Sequence, residues 1–371
     1  MAVAPVIAGS RSGLRSAVSA GLLLIAAGMN AGAPAKKPAP PKTPRNIIFL
    51  IGDGMGPPHV TYARILRGND FQLRKMTLAA LLSTTCADRT VTDSGAGATA
   101  FATGFKVNYE AVSLDAAGKP LRTVLEAAEG VGKATGLVTT AAFWDATPAA
   151  FAAHAAHRNQ HLEIIRQMLR SGVEILAGNG AQRFGRDSFP TLEELARESG
   201  YTLLRTRAEV EAAKGERLFA VFPARPREMD AEEMSLSDLA RVAIDRLSRD
   251  RDGFFLMIEH EGVDSASHVN FREDLANSLR SFDAAVGVAL DFAMKRDDTL
   301  VLVTGDHETG GMRVTETPSR RPRVEFSTVD HTATDVPLFV YGPGSGTFHG
   351  FLDNTDVGKA LLAMIDVRNG R

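Results

Sequence analysis

One cysteine, Cys86, stands in 371 residues. That excludes an intrachain disulfide and a thiolate metal site. Cys86 itself reads as a small buried apolar residue. An excess of either charge is missing too: 42 Lys plus Arg stand against 44 Asp plus Glu, for a net of −2. Such a balance advertises no basic field for nucleic acid or an anionic membrane. No apolar run is long enough to span a bilayer, and no internal repeat is present.

What is present is ordinary globular composition, 44% hydrophobic and 23% charged, with ample material for a core. Residues 1–35 read as a secretory signal. Arg11 and Arg15 make a basic start, residues 17–29 an apolar stretch, and Ala33-Pro34-Ala35 a small-x-small cleavage site. Residues 36–44 are a Pro-rich linker and 45–371 the folded domain. A periplasmic or secreted location is therefore expected.

Apolar, β-branched runs alternate with helical stretches. Strands are expected at 46–51, 81–85, 134–140, 173–177, 253–259, 299–304 and 336–341. Helices are expected at 123–129, 191–199, 237–249, 271–294 and 356–366. An alanine-rich helix over 149–156 starts at Pro148, with Arg158 at or near its far end. Residues 181–251 are charged and read as covering helices and surface loops. This alternation predicts a three-layer αβα fold with a mostly parallel central sheet.

Acidic and imidazole residues gather where strands end. Asp53 follows the first strand in Gly52-Asp53-Gly54-Met55-Gly56. Asp145 and Thr147 follow the 134–140 strand, Glu259 ends the 253–259 strand, and Asp306-His307 follow the 299–304 strand. In open α/β sheets ligands bind at that edge. Any one of these could be a plain turn residue. Their shared placement points to a polynuclear metal site. Asp264 and His268, four apart, share one helix face and suit a common metal. Carboxylates and imidazoles without thiolates favour catalytic zinc, manganese or iron. His154, His157 and His161 have similar spacing but sit on the alanine-rich stretch and read as surface.

Ser94 lies in Val91-Thr92-Asp93-Ser94-Gly95-Ala96-Gly97-Ala98-Thr99-Ala100. Small neighbours let a substrate approach the backbone, and a helix opening here would offer free N–H groups to an anion. A serine is a poor nucleophile near neutral pH unless a base or metal activates it. Two metals about 4 Å apart would meet that need. Arg158 has the planar fork that holds two phosphate oxygens.

Six segments, in order, resemble the alkaline phosphatases. They are Gly52-Asp53-Gly54-Met55-Gly56; Thr92-Asp93-Ser94-Gly95-Ala96; Asp145-Ala146-Thr147-Pro148 with Arg158; Glu259, Asp264 and His268; Thr304-Gly305-Asp306-His307-Glu308-Thr309-Gly310-Gly311; and Asp330-His331-Thr332. The resemblance implies that Ser94 is the phosphorylated nucleophile and that Arg158 holds the phosphate. It implies one zinc on Asp264, His268 and His331, and a second on Asp53, Asp306 and His307, completed by Ser94. It implies a magnesium on Asp53, Thr147 and Glu259, with Asp145 close by. The implied activity is metal-dependent hydrolysis of small-molecule phosphate monoesters through a phosphoserine.

Three positions depart from the family's pattern. Glu261-Gly262 imitates its Glu-Gly pair, although counting back five from Asp264 selects Glu259. Ser265 stands where Lys or His is usual. Only 23 residues separate His307 from His331, which leaves no room for the large crown-like insertion of some relatives and leaves a homodimer open. The alternative readings are a phosphodiesterase, sulfatase or phosphonate hydrolase on the same metal scaffold, or a non-catalytic phosphate-binding protein.

Overall fold

A computed structural model describes residues 43–180, 191–222 and 234–367. The expected signal, and the linker through residue 42, lie outside the described residues. The strands begin with β1 (Asn46–Gly52), β2 (Thr77–Ser83), β3 (Ala134–Ala142), β4 (Ile175–Asn179) and β5 (Leu203–Leu204). They continue with β6 (Leu218–Phe222), β7 (Phe254–His260), β8 (Thr299–Thr304), β9 (Glu308–Thr309) and β10 (Arg313–Glu316). The last are β11 (Pro322–Glu325), β12 (His331–Thr332), β13 (Val336–Tyr341) and β14 (Gly350–Asp353). Among the helices are α1 (Pro57–Arg67), α2 (Ser94–Thr103), α3 (Val124–Gly130), α4 (Ala146–Ala152), α5 (His161–Arg170) and α6 (Leu192–Glu198). The others are α7 (Arg207–Ala212), α8 (Leu236–Leu247), α9 (Gly262–His268), α10 (Arg272–Ala293) and α11 (Asn354–Asp366).

Ten strands form one sheet in the order β14-β2-β13-β8-β1-β7-β3-β4-β6-β5. β1 lies at its heart, parallel to β7 on one side and β8 on the other. Only β13 runs against its neighbours, antiparallel to both β8 and β2. The mostly parallel sheet is as expected. A reversed β13 was not legible, because strand direction leaves no mark on an apolar run.

Alternation along β1 makes the three layers. Ile47, Phe49 and Ile51 point into one core and Ile48 and Leu50 into the other, all 1% exposed or less. Successive side chains point to opposite faces of a strand, so a run apolar at every position must be covered twice. The first face is covered by α2, α3, α4, α5 and α11, through residues such as Phe101, Val124, Phe151 and Leu361. Phe49 meets Phe101 edge to face with ring centroids 5.3 Å apart. The second face is covered by α1, α8, α9 and α10, through Ala63, Leu239, Val263 and Phe282. Burying each such large side chain contributes about 1.5–3 kcal/mol.

Some boundaries differ from expectation. The 81–85 strand is Thr77–Ser83, whose first two residues are exposed. The 173–177 strand is Ile175–Asn179. Leu218–Phe222 is a fully buried strand inside the stretch expected to be helices and loops. The alanine-rich helix is Ala146–Ala152, not 149–156: the chain is extended by Ala153, and Ala155 bridges to Val112. Arg158 therefore sits in the α4–α5 loop rather than on a helix, with its N–H donating to the Glu110 carbonyl at 2.8 Å. Between His307 and His331 the chain makes only the small β10–β11 hairpin and the β9–β12 pair. Among the described residues no crown-like insertion is present.

Candidate metal centre and nucleophile

The site is assembled at the C-terminal ends of the central strands. β1 delivers Asp53, and Gly54 follows with φ +73°, a left-handed turn that suits glycine. A Cβ on Gly54 would lie 2.9 Å from Asp264 Oδ1. β8 delivers Asp306 and His307. Asp306 Oδ1 accepts the N–H groups of Gly54 and His307, both at 3.1 Å, which turns Oδ2 inward. The short β9–β12 ladder pairs Thr309 with His331 and so carries His331 to the same place. There the His307 and His331 rings stack with centroids 3.6 Å apart.

Two ligand groups result. His307 Nε2 lies 3.3 Å from Asp53 Oδ1, 3.4 Å from Asp306 Oδ2 and 3.3 Å from Ser94 Oγ. His268 Nε2 lies 3.1 Å from both Asp264 Oδ2 and His331 Nε2, and His331 Nε2 is 3.5 Å from Asp264 Oδ1. The groups touch, since ligand atoms of Asp264, His307 and His331 all lie within 4.8 Å of one another.

The Nδ1 atoms of the three histidines all face oxygen. His307 Nδ1 faces Thr309 Oγ1 at 3.2 Å, His331 Nδ1 the Thr92 carbonyl at 2.9 Å, and His268 Nδ1 the Val329 carbonyl at 2.5 Å. An Nδ1–H pointed at oxygen leaves the Nε2 lone pair free for a metal. Such lone pairs on His307 and His331 then converge with carboxylate oxygens, a set that a cation would hold; without one, His268 Nε2 pairs with Asp264 Oδ2 at 3.1 Å, and that bond raises His268 to about 9.

Electrostatics and unsatisfied atoms agree on this fit. Burial, then Asp306, Asp264 and Glu259, push the Asp53 carboxyl well above its ordinary value. Burial raises Asp306 to about 6 and Glu259 to about 8. Burial also lowers His307 and His331 to about 4, which keeps both rings neutral as ligands must be. Asp264 is the exception: burial would raise it, but its bond to His268 and the fields of His307 and His331 hold it below the usual range. Asp53 Oδ1, Asp306 Oδ2 and Thr147 Oγ1 are buried without a hydrogen-bond partner. Buried polar atoms are nearly always paired, so orphans aimed at one centre mark a missing ligand.

Glu259, buried at the end of β7, accepts a 2.5 Å hydrogen bond from Thr139 Oγ1. Thr147 faces it, and the fields of Asp145 and Asp306 raise its pKa. Glu261 is engaged elsewhere: its carboxylate accepts from Ser265 Oγ, and its N–H donates to Thr140 Oγ1 at 2.9 Å. Ser265 thus faces Glu261 rather than the metal groups.

Ser94 is the first residue of α2 and is 4% exposed. Asp93 caps the helix: Oδ2 accepts the Gly95 N–H at 2.9 Å and Oδ1 the Ala96 N–H at 3.2 Å. Of the N–H groups expected at this helix start, Asp93 therefore occupies those of Gly95 and Ala96, and the Ser94 N–H takes no part in that cap. Gly97 packs α2 against the site, since a Cβ there would lie 3.0 Å from the Asp306 carbonyl. Arg158 bridges two carboxylates, Nη1 to Asp93 Oδ2 at 3.1 Å and Nη2 to Asp145 Oδ1 at 3.0 Å.

Every residue singled out from the sequence as nucleophile, anion holder or metal ligand thus falls in one connected region. His154, His157 and His161 do not join it. His154 Nε2 pairs with Glu126 at 2.9 Å and His157 Nε2 with Glu110 at 2.8 Å. Sequence reasoning missed Asp93 as cap and arginine anchor, although Asp before a small-residue helix is an N-cap signal. It missed Thr309, two residues past His307, and Thr139, whose inward position on β3 no local pattern reveals.

The alkaline phosphatase family model matches residues 44–318. Alkaline phosphatase 4 of Bacillus subtilis (strain 168) is 28% identical over 410 residues, covering 86% of this chain and 88% of that one. The structure of alkaline phosphatase from the Antarctic bacterium TAB5 superposes with a TM-score of 0.81 at 30% identity, covering 88% of this chain and 99% of that one. A mutant of the TAB5 enzyme, determined with Mg bound in its M3 site, superposes equally well, at a TM-score of 0.81 and 30% identity over the same 88% and 99%. With this site on this fold, the chain belongs to the alkaline phosphatase family and is a phosphoric monoester hydrolase.

Proposed function

We propose that hydrolysis runs through a phosphoseryl intermediate on Ser94, with two zinc ions and one magnesium ion. The observation that carries this reading is the position of Ser94 Oγ, 3.3 Å from His307 Nε2 within the Asp53–Asp306–His307 group. Asp53, Asp306 and His307 would hold one zinc beside Ser94, and Asp264, His268 and His331 the other. Asp53, Thr147 and Glu259 would hold magnesium with Asp145 nearby, a set of hard oxygens of the kind magnesium takes. The orphaned Thr147 Oγ1 beside Glu259 supports Glu259 over Glu261 in that set. When bound, these ions supply the positive charge that lowers the serine pKa and stabilises the transferring phosphoryl group.

The chain's own residues do the rest. Ser94 Oγ bonds to phosphorus while the bond from phosphorus to the ester oxygen breaks, and the proton that Ser94 gives up leaves on the departing alcohol. Water then bonds to phosphorus as the Oγ–phosphorus bond breaks, and a proton from that water restores the Ser94 hydroxyl. Arg158 donates to two non-bridging oxygens, its fork pre-aimed by Asp93 and Asp145. Phosphate esters hydrolyse so slowly unaided that such pre-organised charge must supply most of the rate.

Acid quenching during turnover of a labelled monoester, followed by peptide mapping, tests this reading. Label on the peptide containing Ser94, absent in Ser94→Ala, is expected. Rapid turnover with no label at any quench time, and undiminished turnover by Ser94→Ala, would overturn it. We also propose that residues 1–35 direct export, supported by their basic start, apolar stretch and cleavage pattern. Cell fractionation and N-terminal sequencing of the exported protein test that part.

A further inference from the structure

The Asp264–His268–His331 group opens, through its two outer histidines, onto a cleft of about 480 Å³, whose walls include Thr92, His268, Asp330, His331, Arg89 and Tyr109. The His268–His331 group, Arg89 and Tyr109 thus line one and the same cleft. That volume falls within the usual size of a small-molecule site. Arg89 is exposed, and its guanidinium lies 3.9 Å above the centroid of the Tyr109 ring. The pair is built rather than incidental, because two loops are stapled beneath it. The Tyr109 N–H donates to Asp88 Oδ1 at 2.8 Å and the Ala87 N–H to the Val107 carbonyl at 2.8 Å. The Cys86 N–H donates to the Arg89 carbonyl at 3.2 Å, and Cys86 Sγ faces Asp88 Oδ1 at 3.4 Å. Stacking on an aromatic face leaves the in-plane N–H groups of an arginine free to fork onto an anion. Among the described residues no ion pair occupies them.

Charge is divided across the cleft. Asp330 lines the cleft together with His268 and His331. Arg89 is the cation of this lining, and its field reaches the Asp88 carboxylate beneath the Tyr109 loop. A phosphate ester seated at Ser94 must project its leaving group out of the buried centre, and this cleft opens at the neighbouring His268–His331 group. The five steps of chain from Arg89 to Ser94 span at most roughly 17 Å, a reach that a sugar-sized or nucleoside-sized leaving group fills.

We propose that Arg89, held on Tyr109, is a specificity-determining residue that selects phosphate monoesters whose leaving group carries a second anionic group, a carboxylate or another phosphate. This rests on the monoesterase reading of the same site. A matched pair of substrates tests it: 3-phosphoglycerate, whose leaving group is anionic, and glycerol 3-phosphate, whose leaving group is neutral and nearly the same size. The readout is the ratio of kcat/KM for the two, in the metal-loaded enzyme and in Arg89→Ala, Arg89→Lys and Tyr109→Ala. The ratio is expected to fall roughly fivefold in Arg89→Ala, as one solvent-facing charge contact warrants, and to be partly restored in Arg89→Lys. Tyr109→Ala should lower it less, and raising the salt concentration should shrink the wild-type ratio towards that of Arg89→Ala. An unchanged ratio in Arg89→Ala, or a wild-type ratio indifferent to salt, overturns the inference. If the wild type turns over neither ester, the monoesterase reading itself fails, and this inference with it.

Discussion

Arg158 Nη1 donates to Asp93 Oδ2 at 3.1 Å, and that oxygen also accepts the Gly95 N–H at 2.9 Å. One carboxylate therefore both starts the helix that presents Ser94 and aims the arginine beside it. Its other oxygen takes the N–H groups of Ala96 and Glu110. The two residues should separate experimentally. Arg158→Ala is expected to weaken inhibition by inorganic phosphate roughly tenfold to a hundredfold, the worth of a charge-assisted contact, with little change in Tm. Asp93→Ala should do the same and also cost about 1–2 kcal/mol of stability through the lost cap. Equal phosphate inhibition in Arg158→Ala and wild type would remove Arg158 from anion binding.

Thr309 Oγ1 donates to Asp264 and accepts from His307 Nδ1, so it orients a ligand of each metal group. Thr309→Val keeps the volume and removes both bonds. Zinc affinity, measured by competition with a chromogenic chelator, is expected to drop by about tenfold to a hundredfold. Affinity within twofold of wild type would mean that the imidazole is oriented by packing alone.

Glu259 and Glu261 can be told apart by magnesium. Glu259→Gln should raise the magnesium concentration needed for full activity while leaving zinc content near normal. Glu261→Gln should leave that requirement where it is, because the Glu261 carboxylate faces Ser265. Magnesium titrations of activity, with elemental analysis of both variants, check this. The reverse pattern would move the site to Glu261.

Away from the centre, His154 and Glu126 form a pair whose worth depends on pH. The hydrogen bond to Glu126 raises the His154 pKa above 6.5, against burial. A raised histidine pKa stabilises the fold fully below its unfolded value, and that stability is lost as pH rises through the folded value. Glu126 is lowered: burial opposes the shift, and the bond to His154 outweighs it. Its share is present above the ordinary carboxyl value and lost on acidification. His154→Gln should therefore cost about 0.2–1 kcal/mol in mildly acidic urea titrations, since Glu126 is partly exposed, and less in alkaline ones. A larger cost at alkaline pH would refute the pairing.

Much of this centre is legible in the amino-acid sequence, and the reason is geometric. Asp53, Glu259, Asp306 and His307 each lie at or just past the C-terminal end of an apolar run, and parallel neighbours bring such ends to one edge. The α9 pair Asp264–His268 is legible through helical spacing alone. What escapes depends on contacts remote in sequence. Thr139 meets Glu259 across 120 positions, and nothing near Thr139 records that meeting. Alanine favours a helix running on towards Arg158, yet the bridge from Ala155 to Val112 pulls the chain straight. β6 is hidden because a run of five apolar residues resembles a helix fragment as much as a strand.

Diffraction data collected on both sides of the zinc absorption edge, from crystals grown with zinc and phosphate, test the centre most directly. Two anomalous peaks are expected, one among Asp53, Asp306 and His307 within bonding distance of Ser94 Oγ, the other among Asp264, His268 and His331. Phosphate should lie between those peaks and the Arg158 fork. Zinc found only at surface histidines such as His157, with the Asp53 and Asp306 carboxylates left bare, would contradict it.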